Sequence, residues 1–117
     1  RCFEIQSLAT QLHWLRFALA HEAWGVQQIH RIVNGWRRSD TVEVASALSD
    51  YLNLLPDLYR CLIIGRNHAW LRRIETIAGE APSTLVCVGA LHCVGEFGLP
   101  ELLKGKGWEP RVEDAQR

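Results

Sequence analysis

Apolar residues recur at intervals of three and four through the first 80 residues of this 117-residue chain, and that spacing marks one face of an α-helix. Asp40 followed by Glu43 forms a capping-box pattern for one helix start, and Pro56 suits the first turn of another. The sequence therefore predicts a helical segment over residues 1–80. Its first two apolar stripes are Ile5, Leu8, Leu12, Leu15 and Leu19, then Val26, Ile29, Val33 and Trp36.

The pattern changes after residue 83. Thr84–Val88 is a β-branched apolar run, which is typical of a buried strand. A glycine-rich loop, a short helix over Leu99–Lys104 and a second extended run over Trp108–Val112 follow. We therefore predict a helix-rich α/β fold, in which the helical segment precedes a strand-loop-helix-strand (β-α-β) unit over residues 84–113.

Two strands do not make a stable sheet by themselves. The chain starts at Arg1 and contains no Met, so we expect residues 1–117 to be the C-terminal portion of a single larger α/β domain. The absent neighbours would leave an apolar face around the first strand, which predicts self-association. If the natural N-terminus is absent, the sequence cannot show whether a signal peptide precedes it, so the cellular location stays open.

Composition excludes some classes of protein. Thirteen basic and 13 acidic residues cancel, and no basic patch with interleaved aromatic residues indicates a nucleic-acid partner. No apolar run approaches the ~18 residues that a transmembrane helix needs. The cysteines at positions 2, 61, 87 and 93 lack Cys-x-x-Cys spacing, and we interpret Cys87 and Cys93 as small buried apolar residues, with a disulfide or metal role as the alternative.

One segment carries residues suited to chemistry. Gly89-Ala90-Leu91-His92 follows the predicted strand, so a histidine would be presented at the strand's carboxyl end, where ligand-binding groups gather in open α/β sheets. A short helix begins a few residues later. A Gly-x-x-His spacing is common, and a structural histidine is the alternative that the residues alone leave open.

A longer stretch resembles a known family. Val88–Leu99, with Leu102-Leu103 and Gly107-Trp108, is similar to the C-terminal signature of the TraB/GumN family, which includes the Tiki-type proteases. Family members have a Gly-x-x-His motif, a Gly-acidic-x-Gly-Leu turn, a short helix and a Gly-aromatic pair. The helical part also resembles this family, at Trp36–Asp40, Leu58-Tyr59, Arg66-Asn67, Trp70 and Ile74.

The resemblance implies a metal-dependent hydrolase or peptidase of bacterial type that acts on a peptide or protein. The family uses two Gly-x-x-His motifs with an arginine and acidic residues between them, and only the second motif is present here. His92 would ligate a divalent cation of unknown identity, with Arg66 and Glu96 as further catalytic residues. The structural residues of the motif would be Gly89, Gly95, Gly98 and Asn67.

Other interpretations remain. Family members usually have an acidic residue directly before the arginine, whereas this chain has Gly65. That departure, and the single motif, favour a non-catalytic interaction or regulatory domain on the same scaffold, and a fragment that is inactive alone. A plain helical bundle without a site is the third interpretation. We predict that Arg66 and His92 lie on the same side of the fold, as a shared site requires. Periplasmic, secreted and membrane-associated locations are all compatible with the resemblance.

Overall fold

Six α-helices make up most of the chain in a computed structural model, which describes residues 2, 4–80 and 83–111. They are α1 (Leu8–Ala20), α2 (Glu22–Arg37), α3 (Thr41–Leu54), α4 (Pro56–Tyr59), α5 (Gly65–Glu80) and α6 (Leu99–Lys104). A π-helical turn, Arg60–Ile64, joins α4 to α5, and a 3₁₀ turn, Ala90–His92, carries the histidine. The described residues contain no β-strand, so the fold is all-helical.

The predicted β-α-β unit is therefore wrong. Thr84–Val88 has no regular structure, and the Leu85 side chain is 89% exposed. Residues 108–111 are also irregular, and Val112 lies outside the described residues. A β-branched apolar run becomes a strand only when a second strand accepts its backbone hydrogen bonds, and none of the described residues pairs with this one.

The core lies between α3 and the continuous helical rod formed by α4, the π-helical turn and α5. Five buried residues from three parts of the chain form it: Val44, Leu48, Tyr59, Ile63 and Val94. Val94 follows the 3₁₀ turn directly. The core thus anchors the loop that bears His92 against the helices.

The helices α1 and α2 form at the predicted places, but their apolar stripes face outward. The exposed fraction runs from 41% to 74% for the first stripe and from 44% to 65% for the second. The inward side of these helices instead presents Trp14, Gln28 and Gly35. The radius of gyration, 16.1 Å, exceeds the roughly 13 Å typical of a compact chain of this length, in keeping with helices that leave apolar sides uncovered.

The junction between α2 and α3 is fixed by polar contacts. The Asp40 carboxylate accepts a hydrogen bond from the Glu43 backbone N–H at 2.9 Å, which is one half of the capping box. The Glu43 carboxylate does not complete the box, because it accepts from Arg31 Nε at 2.6 Å. Arg31 also donates to Asp50 at 2.6 Å, so one guanidinium ties α2 to two turns of α3.

The cysteines differ from the sequence interpretation. Cys2 and Cys61 form a disulfide that ties the segment before α1 to the π-helical turn, a pairing that the cysteine spacing did not predict. Cys87 and Cys93 are free and exposed rather than buried, because they lie on the unpaired segment and in the loop after the 3₁₀ turn. Among the described helices, none combines the length and the apolar character needed to cross a bilayer.

Candidate functional site

Asn67 is the structural centre of the site. Its side chain is fully buried on the first turn of α5. Its Nδ2 donates to the Phe97 carbonyl at 2.6 Å and to the His92 carbonyl at 3.3 Å. Its Oδ1 lies 2.7 Å from His92 Nδ1. One amide therefore holds both ends of the loop and the imidazole within it.

These contacts determine the tautomer of His92. Because both Asn67 Nδ2 bonds go to carbonyls, Oδ1 faces the ring and can only accept, so Nδ1 carries the proton. Nε2 is then unprotonated in the neutral ring and has a free lone pair. Every buried side-chain N or O atom of the described residues has a hydrogen-bond partner. Nε2 has no such partner among these residues, so it is not fully buried and reaches solvent.

His92 is held neutral by its surroundings. The residue is buried, and burial lowers the pKa of the imidazole below its usual range, because the charged form loses solvation. The positive charge of Arg66 lowers this pKa further. A neutral imidazole with Nδ1–H bonded to an amide oxygen and Nε2 open is the form that ligates metal ions or accepts a proton.

Arg66 reaches the histidine through Trp70, one turn further along α5. The guanidinium carbon of Arg66 lies 4.7 Å from the centroid of the Trp70 ring, which is cation–π geometry. The same indole lies 4.7 Å from the His92 ring, tilted by 58°. Arg66 and His92 are thus on the same side of the fold, where both contact one aromatic side chain.

The glycines of the motif have different roles. Gly89 has an ordinary extended conformation, and its carbonyl accepts from the His92 N–H at 2.9 Å. Gly95 has φ of +74°, a conformation that disfavours any residue with a Cβ atom. Gly98 is packed against backbone, since an added Cβ would lie 2.8 Å from the Val94 carbonyl oxygen and 2.9 Å from its nitrogen. The sequence therefore allows the tight loop only with glycine at two of these positions.

Replacing Gly98 by alanine is expected to lower the free energy of unfolding by about 1–3 kcal/mol, because the new methyl group meets backbone atoms that cannot move aside. Chemical denaturation measures this difference. Gly79→Ala is the matched control, since no atom lies within 4 Å of its added Cβ, and helix propensity favours alanine there. Equal loss in both variants would contradict the close packing at Gly98.

Glu96 and Gly65 do not join the cluster. Glu96 is exposed, and its recorded interaction is with Tyr59, whose phenol pKa is raised mainly by burial and also by the Glu96 charge. Gly65 ends the π-helical turn, and a Cβ there would approach the Arg60 carbonyl oxygen at 3.3 Å. A residue with a Cβ atom at position 65 would require this turn to shift by a few tenths of an ångström.

The lowered pKa of His92 predicts a pH dependence of stability. The unfolded chain binds a proton at the ordinary histidine pKa, while the folded chain does so only at lower pH. Stability contributed by His92 is therefore fully present above about pH 6.5 and is lost as the pH falls below that value. We expect His92→Gln to reduce the loss of unfolding free energy between pH 7 and pH 5. An unchanged pH slope in this variant would contradict the buried neutral imidazole.

The residues present fit one ligand of a metal site. His92 offers Nε2, and Asn67 supplies the partner that orients a ligating imidazole. Within the described ranges, no group of three or more His, Cys, Asp or Glu side chains converges to hold an ion. Further ligands would have to come from outside the described residues.

Sequence reasoning named Trp70 only among the residues that resemble the family and did not predict it as a part of the site. The signal was its position four residues after Arg66, which puts both side chains on one face of a helix. It also listed Asn67 only as a structural residue of the motif, without its bond to the histidine. That bond spans 25 residues and cannot be read from spacing.

Comparison with known proteins identifies one relationship. The family model described as the TraB/PrgY/gumN family matches residues 1–112. The matched range includes the helical part and the Gly-x-x-His loop. The searches of curated proteins and of solved structures gave no match.

Proposed function

Because the chain belongs to the TraB/PrgY/gumN family, we propose that it contributes His92 and Arg66 to the site of a metal-dependent hydrolase that cleaves peptides. The observation that carries this proposal is the contact between Asn67 Oδ1 and His92 Nδ1 at 2.7 Å. This contact leaves Nε2 unprotonated and able to ligate a metal ion. A structural histidine needs no such open nitrogen.

The residues of this chain would divide the work of hydrolysis. His92 Nε2 would hold a divalent cation, and such a cation supplies an acidic bound water and polarises a carbonyl group. Asn67 keeps the imidazole oriented and excludes the tautomer that would block Nε2. Arg66 has no carboxylate within 4.0 Å among the described residues, so its guanidinium is available to a negative charge on the substrate or on a transition state.

Trp70 positions the positive charge of Arg66. Its indole contacts both the guanidinium and the imidazole, so the cation is held near His92. This arrangement would allow one group to bind metal while the other attracts an anion.

A non-catalytic interaction domain is the second candidate. Two observations favour it: Gly65 at the position of the usual acidic residue, and the lack of three converging metal ligands among the described residues. In that case the Asn67–His92 contact would serve only to close the loop.

Hydrolysis of a mixed peptide library by the protein in its full natural length separates the two candidates. The hydrolase is expected to lose activity when divalent cations are removed by chelation and to regain it when Zn²⁺, Mn²⁺ or Co²⁺ is returned. Activity that chelation does not change, or no hydrolysis with any of these ions, would contradict the proposal and favour the interaction domain.

A further inference from the structure

A groove runs along α5 from the site. Its volume is about 420 Å³, and α5 forms one wall while residues 84–88 form the other. Trp70 lines this groove and also contacts His92, so the groove adjoins the cluster. The apolar part of the lining comes from Trp70, Ile74, Ile77, Val86 and Val88 among others.

Positive charge lies along the same side of α5. Positions 66, 70, 73 and 77 are separated by four, three and four residues, so they form one stripe on the helix. Arg73 is the charged member of the groove lining among the described residues. Neither Arg66 nor Arg73 has a carboxylate within 4.0 Å in the described part of the chain, although other basic residues do.

Unpaired guanidinium groups beside an apolar groove select a particular ligand chemistry. Apolar lining favours a large aliphatic or aromatic side chain, because its burial removes apolar surface from water. An unpaired arginine at the rim favours a carboxylate, which its planar fork binds with two hydrogen bonds. With both features on one wall, the complementary ligand carries both groups close together.

Distances along the helix set the spacing of these groups. Arg73 is three residues beyond Trp70, or about 4.5 Å along the axis at ~1.5 Å per residue. An extended peptide advances ~3.3 Å per residue. The carboxylate at Arg73 is thus one or two residues from the part of the peptide that lies against Trp70.

We infer that the groove between α5 and residues 84–88 binds a peptide segment in which a large apolar side chain stands next to a carboxylate, with the apolar side chain between Trp70 and Ile77 and the carboxylate on Arg73. This rests on the proposed function, because it names the substrate class of that same site. The carboxylate is either an acidic side chain or the C-terminus of the peptide.

Binding of short peptides without any divalent cation tests this inference separately from catalysis. The probes are acetyl-Gly-Leu-Glu-amide, its Gln and Ser counterparts (acetyl-Gly-Leu-Gln-amide and acetyl-Gly-Ser-Glu-amide) and acetyl-Gly-Leu with a free carboxylate. Dissociation constants come from calorimetry, and amide shifts of the ¹⁵N-labelled protein locate the ligand. At least one carboxylate-bearing Leu peptide is expected to bind about tenfold more tightly than the Gln peptide. Replacing Leu by Ser is expected to weaken binding by about tenfold.

Arg73→Gln is the decisive variant, and Arg72→Gln is its control. Both arginines are exposed on α5, but only Arg73 lines the groove, so neither substitution should disturb folding. Arg73→Gln is expected to abolish the preference for the carboxylate, while Arg72→Gln retains it. The Glu-side-chain and free-carboxylate probes then show which source of the carboxylate is preferred.

Three results would overturn the inference: equal affinity for the acidic and amide peptides, equal effects of the two arginine variants, or amide shifts that avoid residues 84–88. Peptide binding in the groove without metal-dependent hydrolysis would leave the groove assignment standing and sink the proposed function. Hydrolysis that shows no preference for an adjacent carboxylate would contradict the groove assignment and leave the proposed function standing.

Discussion

Replacing Asn67 by leucine is expected to lower the free energy of unfolding by about 3–5 kcal/mol. The amide makes two hydrogen bonds to carbonyl oxygens and accepts one from the His92 ring, and all of this occurs at a fully buried position. Leucine has the same branching and the same number of heavy atoms as asparagine but a larger volume, so no cavity forms, and the loss comes from unpaired buried polar groups and from overpacking. Urea denaturation measures the change.

The control for this prediction is Asn34→Leu on α2. Asn34 is exposed, and no side-chain hydrogen bond is recorded for it among the described residues, so a change within about 0.5 kcal/mol is expected. If Asn67→Leu were as mild as Asn34→Leu, the amide would not be holding the loop, and the account of the site would fail at its base.

Under the proposed function, replacing His92 by glutamine is expected to reduce metal-dependent peptide hydrolysis by at least about a hundredfold. The substitution removes the nitrogen proposed to hold the cation, and loss of the hydrogen-bond partner of a ligating histidine alone typically costs 10–100-fold. The rate is compared at equal concentrations of folded protein, since the ring is buried and its loss affects stability as well. Initial rates with saturating cation measure the effect.

His68→Gln is the matched control for the loss of activity. His68 is exposed on the same helix as Arg66, next to Asn67, and makes no recorded contact with the cluster. Its replacement should leave the rate unchanged. A variant at position 92 that folds and retains full metal-dependent activity would show that His92 is only structural.

The helices were predictable because their signals depend on local spacing. The stripes, the cap at Asp40 and Pro56 at the start of α4 all act within a few residues of the chain, and the structure has helices there. The Gly-x-x-His loop was recognised through its resemblance to the TraB/GumN signature, because its spacing alone leaves a structural histidine as the alternative. Neither the helix signals nor the loop motif required knowledge of the tertiary packing.

Long-range features were not predictable in this way. The run Thr84–Val88 has the composition of a strand, but strand formation depends on a partner that composition does not supply. The outward face of α1 shows the same limit, because a stripe indicates which residues share a side and not whether that side is covered. The bond from Asn67 to His92 joins two parts of the chain that only the fold brings together.

The tautomer of His92 is the central claim, because the open Nε2 follows from it. Side-chain ¹⁵N chemical shifts of the imidazole, measured by long-range proton–nitrogen correlation at pH 7.5, report on it directly. A protonated Nδ1 and an unprotonated Nε2 are expected, and in Asn67→Leu this preference should weaken. A protonated Nε2 in the unmodified protein would contradict the account, because the nitrogen assigned to the cation would then carry a proton.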